Sequence, residues 1–245
     1  LYLPYCLPHG KYVIPHDDAA YQIYKDKPWS QEVRNYAAMV TRADTTVGVI
    51  LDLLQELKLD EDTIVFYTSD NGPNTPFVKS LGSNAPFQGI KRTLYEGGIR
   101  AAMAVRWPGH TPAGVTSDFV WGMRDVFPTL CDLAGTSTPQ NLDGISVVPT
   151  LKGKSQADRG PLYWAFPGGS QQAVRMGKWK GLRRGTKGSL MLFDLQTDPG
   201  ETNNVAAEHP EIVTKIEDVM TNSHVPSPFW PLAERVQSKK KKSNR

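Results

Sequence analysis

The segment Thr63-Ile64-Val65-Phe66-Tyr67-Thr68 constrains the fold more than any other stretch of the chain. Its β-branched and aromatic residues follow one another without a polar alternation. That pattern predicts a strand buried on both faces, as in a parallel sheet covered by helices. The strand stops at Ser69-Asp70-Asn71-Gly72-Pro73, a polar turn. Upstream, Val33, Tyr36, Ala37, Val40, Val47, Ile50, Leu51, Leu54 and Leu57 recur at helical spacing behind Ser30, a residue suited to an N-cap. They predict a long helix over 31–58. A second buried strand is expected over 101–105, ending at Trp107-Pro108-Gly109. A helix over about 124–134 should close with Gly135 as its C′ residue. Residues 1–6 read as a strand already in progress and 11–30 as loop, so the chain is expected to begin mid-protein. Residues 73–98, rich in Gly, Pro, Ser and Asn, read as a long irregular stretch, a type of loop that is usually functional.

The texture changes over the polar stretch 152–160. Short apolar segments at 161–166, 172–176, 179–183 and 190–195, parted by Gly-containing turns, predict an antiparallel sheet. A helix is expected over 210–220. Beyond it Pro226, Pro228, Pro231 and a lysine run read as an extended tail. The division expected is thus 1–155, an α/β catalytic portion; 156–222, a small antiparallel subdomain; and 223–245, a basic tail.

The chain of 245 residues carries 28 Lys+Arg against 25 Asp+Glu, a formal charge of +3. Lys239, Lys240, Lys241, Lys242 and Arg245 account for more than all of it, leaving a body near −2. No nucleic-acid-binding surface is indicated. No run approaches the roughly 18 consecutive apolar residues of a membrane span. Two cysteines make no disulfide framework. Cys131 lies in an apolar helical run and is expected in the core.

Chemistry is expected first at Asp70-Asn71-Gly72. Ligands of open α/β sheets bind beyond the carboxyl ends of strands. A carboxylate beside an amide carbonyl presents hard oxygen donors suited to Ca²⁺ or Mg²⁺; the alternative is an Asx-bonded polar turn. Lys91, in a loop framed by Gly89 and Gly97-Gly98, could meet an anionic oxygen as a point charge, or be a solvated lysine. The pair Gly97-Gly98 fits close backbone approach or a tight turn. His9 could be a general acid or anion ligand, or an ordinary loop histidine.

Taken in order, these blocks resemble the type I sulfatases (arylsulfatases) of the alkaline phosphatase superfamily, in their C-terminal portion. The resemblance rests on Pro8-His9-Gly10-Lys11-Tyr12, the helix bearing Asp44 and Val47-Gly48, and Thr68-Ser69-Asp70-Asn71-Gly72-Pro73. It continues through Gly89-Ile90-Lys91, Tyr95-Glu96-Gly97-Gly98-Ile99-Arg100, Arg106-Trp107-Pro108-Gly109 and Asp125-Val126-Phe127-Pro128-Thr129-Leu130. It ends with Leu192-Phe193-Asp194-Leu195 and Asp198-Pro199-Gly200-Glu201-Thr202-Asn203-Asn204. The fold implied is α/β: an alkaline-phosphatase-like mixed sheet flanked by helices, with a small C-terminal antiparallel sheet plus helix.

The resemblance implies hydrolysis of sulfate esters. It makes Asp70 and Asn71 metal ligands for Ca²⁺, and Lys91 and His9 catalytic groups at the sulfate. The substrate implied is a sulfated small molecule or glycan, and the location periplasmic or secreted. The family's nucleophile, a formylglycine made within Cys/Ser-x-Pro-x-Arg, has no counterpart here. Cys6-Leu7-Pro8-His9-Gly10 has glycine where arginine is required, and the segment already matches the histidine loop. The formylglycine is therefore expected only upstream, and the isolated chain is expected to be inactive. Two other readings stay open: a phosphodiesterase or phosphonate hydrolase of the same superfamily, against which Asn71 in place of a histidine argues, and a non-catalytic carbohydrate-binding protein of the same fold.

Overall fold

A computed structural model describes residues 1–234; the lysine run lies outside the described residues. The elements in chain order are α1 (Ala19–Gln22), α2 (Gln31–Glu56), β1 (Val65–Thr68), α3 (Thr75–Leu81), α4 (Glu96–Ile99) and β2 (Met103–Arg106). Then come α5 (Met123–Leu133), α6 (Val148–Leu151), β3 (Leu162–Phe166), β4 (Gln171–Met176), β5 (Trp179–Arg184), β6 (Met191–Asp194) and α7 (Pro210–Ser223). They form two compact units, Leu1–Thr68 with Met103–Asp158, and Ser69–Ala102 with the described residues from Arg159 onward.

In the first unit, Ser30 caps α2 as expected, its hydroxyl accepting from the Val33 amide. The first turns of α2 bury Ala38 and Met39 against Ile14, Ala20 and Tyr21. Asn35 ties the helix to the preceding loop by donating to the Tyr12 carbonyl at 2.8 Å. The loop expected over 11–30 contains the short α1, which Asp18 caps. β1 departs from its expectation. It pairs antiparallel with β2, Val65 opposite Arg106, and its side chains are half-buried, with Tyr67 exposed. A short run of β-branched residues reports a strand, but its partner and direction come from distant chain. Residues 1–6 form no strand; Leu1, Tyr2 and Leu3 are exposed. The helix α5 follows its expectation, with Ala134 as its C-cap and Gly135 next at φ 65°. The carboxylate of its buried Asp125 accepts from the amides of Gly122 and Ile145. Cys131 is buried, as expected.

In the second unit β3, β4, β5 and β6 form an antiparallel meander in sequence order. The four strands lie within a residue or so of expectation, and α7 begins at the expected Pro210. Strand alternation sends β4 and β5 side chains to two faces. On one face Val174, Leu190 and Leu192 pack against Ile216 and Met220 of α7. On the other, Ala173, Leu182 and Phe193 pack against Leu94, Tyr95 and Ile99. The segment carrying Lys91 is thus a layer of this unit. The stretch 73–98 is less irregular than expected, since it contains α3 and α4. No helix among the described residues is long and apolar enough to cross a membrane.

Candidate active site

Beyond β1 the chain turns at Ser69–Pro73 and is held there by backbone bonds. The Gly72 amide donates to the Gly98 carbonyl at 3.0 Å, and the Lys91 amide donates to the Pro73 carbonyl at 2.9 Å. These bonds bring the turn bearing Asp70 and Asn71 alongside the loop bearing Lys91. The approach is too close for any side chain. A Cβ on Gly72 would lie 1.9 Å from the Gly97 carbonyl oxygen, and one on Gly98 would lie 2.2 Å from the Thr93 carbonyl oxygen. Of the two readings of Gly97-Gly98, close backbone approach is therefore the operative one.

Lys91 sits in a tight turn in which the Thr93 amide donates to the Ile90 carbonyl at 3.0 Å. The Thr93 hydroxyl reinforces it with a 2.8 Å bond to the same carbonyl. Lys91 is half-buried, while its neighbour Arg92, at φ 73°, is exposed. No described residue gives the Lys91 ammonium a hydrogen bond or ion pair. A half-buried cation without a protein partner is available to an anionic group.

Asp70 is exposed and Asn71 half-buried. The Asn71 amide nitrogen donates to the Gly72 carbonyl at 2.9 Å, which commits the donor end and leaves Oδ1 as the open acceptor. The pair thus offers hard oxygens, in keeping with a cation such as Ca²⁺, though fewer than the six to eight such an ion takes. Among the described residues, no group of three or more His, Cys, Asp or Glu side chains is placed to hold a metal. His9 belongs to the first unit. It is exposed, its Nδ1 lying 2.9 Å from the Gly10 carbonyl oxygen.

Sequence reading passed over the charged cluster behind the Lys91 loop. The Lys180 side chain is fully buried, 2.7 Å from Glu96 Oε1 and 3.5 Å from Glu201 Oε1. Arg175 reaches Glu96 Oε2 at 3.2 Å. Burial alone would raise the Glu96 carboxyl. The charge and hydrogen bond of Lys180, with Arg175 and Arg100, outweigh it and hold that carboxyl below its ordinary value. Glu201 goes the other way: burial raises it, helped by the nearby Glu96 charge, and Lys180 only partly compensates. The available signal was strand alternation, which puts Lys180 on the same face of β5 as Leu182.

The sulfatase family profile matches residues 1–136, and that of the C-terminal region of N-sulphoglucosamine sulphohydrolase matches 87–225. The chain belongs to the sulfatase family. It is 32% identical over 237 residues to N-acetylgalactosamine-6-sulfatase of Homo sapiens, covering 81% of this chain and 45% of that protein. It is also 32% identical over 208 residues to arylsulfatase A of Homo sapiens, covering 72% of this chain and 40% of that one. The chain therefore spans less than half the length of these relatives. The crystal structure of Ps i-CgsB in complex with k-i-k-neocarrahexaose superposes with a TM-score of 0.78 at 27% identity, over 89% of this chain and 48% of that one. The fold is the alkaline-phosphatase-like α/β fold of the sulfatases. Membership of this family is consistent with metal dependence.

Proposed function

We propose that this chain is the C-terminal part of a hydrolase of sulfate esters. The observation that carries the reading is the Lys91 ammonium, without a partner among the described residues, in a glycine-framed loop whose backbone bonds to the turn bearing Asp70 and Asn71. A sulfate ester concentrates negative charge on its non-bridging oxygens and, as the S–O bond breaks, on the leaving oxygen. A preorganised cation aimed at that charge lowers the barrier. Lys91 has this role, and His9, as a proton donor, shares it at the leaving oxygen. Asp70 and Asn71 contribute oxygen ligands to Ca²⁺, which when bound supplies Lewis acidity at the sulfate. The nucleophile is a formylglycine on a segment outside these 245 residues.

The relatives' names support a sulfated small molecule or glycan as substrate. We further propose a secreted or periplasmic location, with 1–155 as the end of the catalytic domain, 156–222 as a smaller subdomain and 223–245 as a basic tail. The test is turnover of an aryl sulfate by the complete protein, with and without chelator. Activity should fall on chelation and return with Ca²⁺. Asp70→Ala should weaken calorimetric Ca²⁺ binding while the melt is kept, and the 245-residue chain alone should show no turnover. Hydrolysis of an aryl phosphodiester in place of the sulfate would overturn the reading. Unchanged Ca²⁺ affinity in Asp70→Ala would strike Asp70 from the ligands.

A further inference from the structure

We infer that the buried Glu96–Lys180–Glu201 cluster, together with Gln171, positions Lys91, gripping both ends of its loop from the inner face of the four-stranded sheet. The inference rests on the proposed role of Lys91. Its physical basis is a set of directional bonds converging on one short loop. The Glu201 carbonyl accepts from Gln88 Nε2 at 2.8 Å, just before the loop. Glu201 Oε2 accepts from the Glu96 amide at 2.6 Å, just after it. Gln171 Oε1 accepts from the Leu94 amide at 3.2 Å, and its Nε2 donates to the Arg92 carbonyl at 3.0 Å, one residue from Lys91. Lys180, donating to Glu96 Oε1 at 2.7 Å, holds the two carboxylates in place from β5.

Three features favour positioning over simple cohesion. A buried ion cluster is a weak source of stability compared with apolar packing, which supplies the core of the opposite face of this sheet. Charge-assisted bonds, by contrast, fix direction and distance. Glu201 Oε1 is buried with no partner nearer than the Lys180 ammonium at 3.5 Å, a long contact without a hydrogen bond. Glu201 also holds φ 55°, a left-handed conformation uncommon for any residue but glycine. Strain and a poorly satisfied buried group at one residue mark a site kept for what it holds.

The test is a double-mutant cycle in the complete protein with an aryl sulfate. Glu201→Gln should lower kcat by up to about 10²-fold, the scale of an ångström-sized misplacement, with KM changed less than about twofold. In a Lys91→Ala background the same substitution should cost no further activity, because the group being positioned is gone. Equal losses in both backgrounds overturn the inference, as does a lowered melting temperature with kcat unchanged. Gln171→Met is the second variant, should Glu201→Gln fail to fold; if neither gives a cooperative melt, the cluster is a fold determinant and the inference is wrong. Amide hydrogen exchange supplies an arm independent of turnover. The Lys91 amide should exchange faster in Glu201→Gln, and unchanged protection also overturns the inference. A wild-type protein without turnover would sink the sulfatase reading, while the exchange result would still decide whether the cluster holds the loop.

Discussion

The two faces of the four-stranded sheet strike different balances between apolar packing and buried charge. Toward α7 the core is Val174, Leu192, Ile216 and Met220, all fully buried and all apolar, with Gln172 beside it accepting from Arg183 and donating to the Tyr163 hydroxyl. Gly181 leaves room for Ile216 there: a Cβ would lie 2.5 Å from its Cγ2. Toward the Lys91 loop, Gln171, Arg175, Lys180, Glu96 and Glu201 meet through named donors and acceptors around a smaller apolar patch. Apolar burial is non-directional and scales with area, so it stabilises without dictating a position to a few tenths of an ångström. Hydrogen-bonded charges stabilise little on balance but penalise any displacement. A sheet that serves as a platform on one face and as a locating surface on the other uses each where it suits.

Removing one charge from the polar face should give the largest effect. Lys180→Met in the complete protein leaves Glu201 buried without its cation and Glu96 with Arg175 and Arg100 only, and should cost about 3–5 kcal/mol of stability, read from chemical denaturation. A loss under 1 kcal/mol would mean that water reaches the cluster and would dissolve the contrast. Next in size is Lys91→Ala. Its kcat/KM should fall about 10²–10³-fold, while stability moves by no more than about 0.5 kcal/mol. Arg92→Ala, one residue on and exposed, should be mild in both measurements. If the two variants behave alike, Lys91 is a surface lysine and the locating face has nothing to locate. On the apolar face, Ile216→Val should cost about 0.5–1.5 kcal/mol and leave kcat unchanged. A kcat effect of tenfold there would show that the two faces are coupled.

The smallest effect expected is a pH dependence of opposite sign for the two glutamates. The ordinary carboxyl value for both is 4.5. Glu96 is lowered in the folded protein, so its contribution is present above 4.5 and is lost as pH falls through its folded value. Glu201 is raised, so its contribution is present below 4.5 and is lost as pH rises through its folded value. Melting temperatures from acid to neutral pH should show the wild type gaining on Glu96→Gln and losing ground to Glu201→Gln. Parallel curves would mean that the carboxylates do not share one buried environment.

Local pattern was sufficient for several elements. Ser30 and the apolar spacing behind it account for α2, and the Gly-parted segments after residue 160 account for β3 to β6. Asp70-Asn71-Gly72 and Lys91 were legible as candidates because a polar turn after a strand and a glycine-framed lysine are short-range signals. The direction of β1 was not legible. A run such as Val65-Phe66-Tyr67-Thr68 records that it prefers an extended, partly buried backbone, and nothing in it names Met103–Arg106 as the antiparallel partner.

The sequence by itself determined the long helices α2, α5 and α7, the strands of the meander, and which side chains could do chemistry, because those properties depend on neighbours within a few residues. Tertiary structure alone decided the rest. It placed Gly72 against Gly97, where only hydrogen fits, and brought Glu96 and Glu201, 105 positions apart, to one 2.6 Å hydrogen bond. It also turned Lys180 from an apparent strand lysine into a fully buried cation between two carboxylates. Such contacts arise when a sheet closes over a loop distant in sequence, and the free energy that selects them belongs to the assembled layer.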